Sequence, residues 1–172
     1  MATEPEVQYW DSCMFISVLT GRDAKRTGTI RTLLEHEKKG LIKIAISTFV
    51  IAEVRPDETN PNLDNKQFQM AAELLESDRL DRWALTPHIA QEAARIGKQF
   101  PKLLPGDCVH IATAIAATAA VLFTFDGLGK RRRPSDMIAH SEKIGNPPLK
   151  ICEPFIPAGP LFEARIQTPS PR

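Results

Sequence analysis

From residue 7 to residue 152, short β-prone runs alternate with segments of helical spacing, which limits the chain to an α/β fold on a mainly parallel sheet. Strands are expected at residues 7–10, 41–46, 81–85, 121–125 and 149–152. Between them the spacing predicts helices over 12–19, closed by Gly21, and over 24–39, with Asp23 as N-cap and Gly40 as stop. Ser47 is placed to cap a short helix containing Phe49, Val50 and Glu53, which Pro56 and the polar loop at 57–65 end. Further helices are expected over 66–76, over 87–99 behind the Thr86-Pro87 pair, over 107–119 with Asp107 as its cap, and briefly near 135–140. The run at 121–125 is β-rich and almost wholly apolar, as a strand covered on both faces should be.

At 172 residues the chain is long enough for one domain with a full core and short for two. One domain over residues 1–153 is expected, followed by a proline-rich tail over 154–172. Cys13, Cys108 and Cys152 form no Cys-x-x-Cys pair, so neither a zinc ribbon nor a disulfide framework is signalled. The acidic start, Met-Ala-Thr-Glu-Pro-Glu, lacks the basic and apolar regions of an export signal, and the stretch at 111–125 is too short to span a bilayer. A soluble, cytoplasmic protein without a membrane partner is expected. The formal net charge of +1 excludes a uniformly basic nucleic-acid binder, but the charge is uneven. Residues 130–172 hold eight basic against four acidic side chains, whereas the rest holds 14 against 17.

Four acids stand where an α/β fold places functional groups. Asp11 and Asp126 each follow an expected strand, and open parallel sheets bind ligands outside the carboxyl ends of their strands. Glu53 lies on the helix after the second strand, and Asp107 opens the helix that feeds the fourth. If the first and fourth strands are neighbours, Asp11 and Asp126 point into a common crevice. Taken singly, each acid has a plain explanation as a cap, a turn residue or a solvated side chain. Brought together, ionised carboxylates require a compensating cation, and oxygen ligation without Cys or His selects Mg²⁺ or Mn²⁺ over zinc. Such a site suits phosphodiester hydrolysis.

Other residues signal less. His36-Glu37 begins like a zinc-protease motif, but Gly40 occupies the place of the second histidine, so His36 is expected to be a solvated helix residue. His110, one turn after Asp107, is close enough to contact phosphate or a carboxylate, although on its own it is expected to be structural. Gly127-Leu128-Gly129-Lys130 lacks the spacing of a phosphate-binding loop and is expected to be a turn. The cluster Lys130, Arg131, Arg132 and Arg133 reads by itself as a solvated loop, but its place shortly after Asp126 also suits it to neutralise backbone phosphates of a nucleic acid near the acids.

The ordered set is more specific than its members. Asp11-Ser12 after the first strand, Ser47-Thr48 followed by Ala52-Glu53, Asp107-x-x-His110-Ile111-Ala112-Thr113-Ala114, and Thr124-Phe125-Asp126 together resemble the PIN-domain nucleases, especially VapC-like toxin ribonucleases. The resemblance covers about residues 7–153 and implies a three-layer α/β/α sandwich. It implies a Mg²⁺ or Mn²⁺ pocket formed by the catalytic and metal-binding acids Asp11, Glu53, Asp107 and Asp126, with Ser12 and Thr124 as supporting hydroxyls. It also implies cleavage of single-stranded RNA, a small antitoxin as partner, and a homodimer. Cys13 stands where the family commonly has Asn or Ser, and His110 fills a variable position. The expected chemistry is metal-assisted hydrolysis. Two other readings are an aspartyl-phosphate phosphatase, which needs a second Asp where Cys13 stands, and a non-catalytic, metal-stabilised PIN-like binding module.

Overall fold

The computed structural model describes residues 4–21, 23–54, 65–127 and 136–157. Its strands are β1 (Glu6–Trp10), β2 (Ile42–Ser47), β3 (Leu80–Trp83), β4 (Val121–Phe123) and β5 (Lys150–Cys152). The helices are α1 (Ser12–Thr20), α2 (Ala24–Lys38), α3 (Thr48–Glu53), α4 (Asn65–Glu76), α5 (Pro87–Gln99) and α6 (Pro105–Ala116), with a single 3₁₀ turn at Met137–His140. The five strands lie in the order β3-β2-β1-β4-β5, and each neighbouring pair is parallel.

The alternation of β1 explains the layers. Tyr9 packs with Ile89, Ala93 and Ile96 of α5 and Cys108, Ile111 and Ala112 of α6. Its neighbour Trp10 packs on the opposite face with Met14 and Phe15 of α1, Ile30 and Leu33 of α2, and Leu75 of α4. Successive side chains of a strand point to opposite faces, so one central strand feeds two cores and the sheet is the middle of three layers. In register, Tyr9 faces Ala45 of β2 on one side and Leu122 of β4 on the other. The chain grows outward from β1 toward β3, then crosses back to add β4 and β5. The resulting reversal point lies between β1 and β4, where an open parallel sheet forms its binding crevice.

Several element boundaries differ from the spacing-based expectation by a few residues, and two of the differences shape the site. The fourth strand ends at Phe123 instead of residue 125. Thr124 N–H still bonds Cys152 O at 3.1 Å, but Phe125 N–H turns to Cys13 Sγ and Asp126 N–H to Thr124 Oγ1. Helix α6 starts at Pro105, with Leu104 as its N-cap, so Asp107 is the third helical residue. Its carboxylate reaches back to accept the Leu104 N–H at 3.1 Å, which satisfies an orphan donor from inside the helix. Pro105 suits the first helical position because its missing N–H would have no partner there. The helix ends at Ala116, short of residue 119, where Thr118 adopts a positive φ of 51°. His36 is buried, at 7% exposure, and not solvated as expected: it lies one turn beyond Leu33, on the face of α2 that meets the sheet.

Candidate metal centre at the strand crossover

Asp11 continues the line of β1 by one residue, its N–H bonding Phe123 O at 3.1 Å, and then caps α1. The residue is only 5% exposed, and burying an ionised carboxylate costs several kcal/mol unless donors surround it. They do. Oδ1 accepts from Ser12 N–H at 2.6 Å and Ser12 Oγ at 3.2 Å, while Oδ2 accepts from Thr124 Oγ1 at 2.8 Å and from Cys13 Sγ at 3.1 Å. Both hydroxyls of the sequence-defined set, Ser12 and Thr124, therefore touch the same carboxylate. Cys13 also accepts the Phe125 N–H at 3.2 Å, tying α1 to the end of β4. Burial, and after it the Asp11 charge, pushes the Cys13 thiol well above its ordinary pKa, so it serves here as a neutral donor.

Glu53 arrives from the neighbouring crossover. Ser47 ends β2 and caps α3, its Oγ accepting the Phe49 N–H at 3.1 Å, and Glu53 is the last residue of that helix. Glu53 Oε2 lies 2.8 Å from His110 Nε2, which is also 3.3 Å from Asp11 Oδ1. His110 is 1% exposed, and its other nitrogen lies 2.8 Å from the phenol oxygen of Tyr9. That oxygen also accepts the backbone N–H of Ser47 at 3.1 Å, so Tyr9 ties the imidazole to the end of β2. Ionised carboxylates only accept, so Nε2 carries a proton that points at the two of them. The ring is held in plane by tilted contacts with Tyr9 and Phe49, at centroid separations of 5.9 and 5.7 Å.

The sequence left His110 as a structural residue and gave Tyr9 no role. His110 is buried and spans Asp11 and Glu53, the carboxylate contact that its place beside Asp107 allows. Its spacing one turn beyond Asp107 was the available signal. For Tyr9 the signal was weaker: a strand tyrosine on the face opposite Trp10 buries a phenol that must find a partner.

Asp107 and Asp126 form the open side of the site. Burial raises the Asp107 pKa to about 6, helped by the charges of Asp126 and Asp11 and opposed by the Leu104 N–H and by His110. Asp126 is also raised, first by burial and then by Asp136 and Asp11, against the Met137 N–H that its Oδ2 accepts at 2.7 Å. His110 moves the other way from a buried histidine. Burial disfavours its charged form, but the hydrogen bond to Glu53 and the charges of Asp11, Glu53 and Asp107 outweigh it, raising its pKa above the ordinary range.

Carboxylates that raise one another's pKa are carboxylates short of a cation. Ligand atoms of Asp11, Glu53 and His110 all lie within 4.8 Å of one another, close enough to share one ion, and Asp107 and Asp126 are electrostatically coupled to Asp11. The carboxylate oxygens fit a hard divalent cation, while His110 Nε2, donating to Asp11 and Glu53, offers it no lone pair. Lys130, Arg131, Arg132 and Arg133 lie outside the described residues. Among the described residues, no helix is long and apolar enough to cross a membrane.

Comparison with known proteins agrees with the architecture. The family model described as the PIN domain matches residues 9–131. Among solved structures, VapBC2 of Rickettsia felis, crystallised with a DNA fragment from its promoter, superposes with a TM-score of 0.55 at 16% identity. That match covers 84% of this chain and 98% of the other. Mycobacterium tuberculosis VapC20, a sarcin-ricin loop cleaving toxin, gives 0.57 at 16% identity over 70% of this chain and 90% of its own. A toxin-antitoxin complex from Klebsiella pneumoniae gives 0.50 at 20% identity, over 68% and 84%. At these identities the likeness is one of fold. A search of curated proteins gives no match.

Proposed function

The chain belongs to the PIN-domain family, and from that premise we propose that it is a metal-dependent endoribonuclease that hydrolyses single-stranded RNA as the toxin of a toxin–antitoxin pair. The observation that carries this reading is the cluster of Asp11, Glu53 and His110 at the crossover between β1 and β4, with ligand atoms within 4.8 Å of one another, and with Asp107 near enough for the charges of Asp11 and Asp126 to act on it. Asp11, Asp107 and Asp126 would hold Mg²⁺ or Mn²⁺, with Glu53 completing the set. The bound ion would supply Lewis acidity toward the phosphate and lower the pKa of a water.

The chain's own residues do the rest. Ser12 and Thr124 fix the Asp11 carboxylate by hydrogen bonds, as donors behind metal-binding groups commonly do. His110, oriented by Tyr9, draws Glu53 toward Asp11. Lys130, Arg131, Arg132 and Arg133 receive RNA phosphates beyond the acids. The nuclease domain spans residues 1–153, and a proline-rich tail follows over 154–172. The protein works in the cytoplasm as a homodimer, restrained by a small antitoxin, a role supported by the toxin–antitoxin complexes that share the fold.

One observation favours a second reading, a metal-stabilised binding module without catalysis. The Nε2–H of His110 already bridges Asp11 and Glu53, so this half of the site is satisfied without an ion. Cleavage of a mixed-sequence single-stranded RNA in Mg²⁺, compared with EDTA and with Asp11→Asn and Asp107→Asn variants, separates the two. The ribonuclease reading expects cleavage by the wild type alone, and only with metal. Equal cleavage by both variants would overturn the assignment of the site, and no cleavage by the folded wild type would leave the binding module.

A further inference from the structure

A groove of about 380 Å³ runs beside the acidic centre, with Asp23, Lys25, Arg26, Phe125, Glu153 and Phe155 among its lining residues. Phe125 joins the two. It stands between Thr124, which donates to Asp11, and Asp126, and its own N–H bonds Cys13, which donates to Asp11 as well. The groove therefore begins where the carboxylates end.

Its aromatic surface is fixed in place. Phe155 is 41% exposed, yet its ring stands edge-on against the fully buried Phe123 of β4, at a centroid separation of 5.4 Å and 81° between planes. The Arg26 guanidinium lies 4.5 Å from the centre of the Phe125 ring, and its Nε is held by Asp23 Oδ2 at 3.3 Å. Lys150 Nζ lies 4.7 Å from the centre of Phe155. An exposed ring braced by a buried one loses little freedom when a flat group settles on it.

The charges then say what kind of group fits. Lys25 and Arg26 are matched by Asp23 and Glu153, which leaves only Lys150, over the Phe155 ring, as a weak attraction for a phosphate. A flat, uncharged ring with polar edges gains from both halves: stacking on phenyl or guanidinium planes, and hydrogen bonds from its edge to the charged rim. We propose that this groove is a nucleobase subsite, which takes one unpaired base of an RNA strand whose neighbouring phosphate lies at the carboxylates. The subsite rests on the ribonuclease reading given above. It gives the protein a grip on single strands that a duplex, with its bases stacked, cannot use.

The test uses a short mixed-sequence single-stranded RNA and copies carrying one abasic nucleotide at successive positions. Each is cleaved in Mg²⁺ by the full chain and by its Phe155→Ala and Arg26→Gln variants, with thermal unfolding confirming that each variant is folded. In the wild type, removing the base at one position next to the cleaved bond lowers kcat/KM about five- to tenfold, the lower end of what one base–aromatic stack contributes. The change falls mainly on KM. Phe155→Ala lowers cleavage of the intact RNA by a similar factor and no longer distinguishes it from that abasic copy. Should Phe155→Ala not fold, Arg26→Gln is read by the same two criteria. A folded variant that cleaves intact RNA like the wild type, or that keeps the full abasic penalty, overturns the subsite while the nuclease stands. A wild type with no metal-dependent cleavage overturns the ribonuclease reading and the subsite with it.

Discussion

The two halves of the acidic site are built on opposite principles. On one side, the buried Asp11, His110 and Tyr9 form a closed chain of hydrogen bonds with the partly exposed Glu53, anchored on the Ser47 backbone. On the other, Asp107 and Asp126 are half-buried, each takes a backbone N–H, and each is pushed upward in pKa by burial and by neighbouring carboxylates. The closed half is satisfied by the protein itself and the open half awaits a positive charge. A site of this kind can be rigid before anything binds and still bind strongly, because the strain lies in charge and not in conformation.

The largest way to break this contrast is at Asp11, which belongs to both halves. Asp11→Asn keeps the shape but removes the shared charge, and metal-dependent RNA cleavage should fall by on the order of 10²–10³, as when one electrostatic group is taken from a reacting centre. Far-ultraviolet circular dichroism should be unchanged, and preserved cleavage would mean that the halves work separately. His110→Ala strikes the closed half alone. It frees Glu53 and empties a buried position, so cleavage should drop about 10- to 100-fold, and urea denaturation should show about 2–4 kcal/mol lost stability. A variant with lost stability but wild-type cleavage would reduce His110 to packing.

The open half is tested by pH. Asp107 has a raised pKa in the folded protein, so its ionisation opposes folding: the penalty is absent below the unfolded value and grows as pH climbs toward about 6. Metal-free Asp107→Asn should therefore match the wild type near pH 4 and be more stable at pH 7. The difference should be about 1 kcal/mol once the group's partial exposure is allowed for. A wild type that is the more stable at pH 7 without metal would contradict the charge-strained picture.

The smallest effect is expected at Gly106, where the two halves meet. An added Cβ would stand 3.2 Å from Phe49 Cε1 and 3.6 Å from Glu53 Oε1. Gly106→Ala gains helix propensity, up to about 1 kcal/mol, but should press Phe49 against the His110 ring it packs on, enough to slow cleavage about two- to fivefold, within the range of a small misplacement. Steady-state rates on the same RNA check it.

The open half was the more legible in the sequence. Asp126 stands directly after a β-rich run and Asp107 opens an alanine-rich helix, so position relative to the strands exposes both. What composition could not show was that Asp107 caps from the third helical position, because Leu104 has no side-chain oxygen and the fold recruits the nearest one. The closed half depends on distant backbone geometry: Tyr9 meets His110 only because β1 is central and α6 crosses its face. The burial of His36 was missed for a simpler reason. Its spacing from Ile30 and Leu33 was the better guide, and the motif-like His36-Glu37 pair drew attention to chemistry in place of helix phase.

The hydrogen bonds of the centre also impose an order in time. Thr124 and Asp11 are 113 residues apart, Tyr9 and His110 101, and Glu53 and His110 57. None is a local contact, so each must await closure of a long loop, and such closures come late and slowly in folding. A chain still emerging from synthesis and not yet past Asp126 cannot assemble the centre at all. On the ribonuclease reading proposed above, this topology holds the centre unassembled until translation of the whole site is complete.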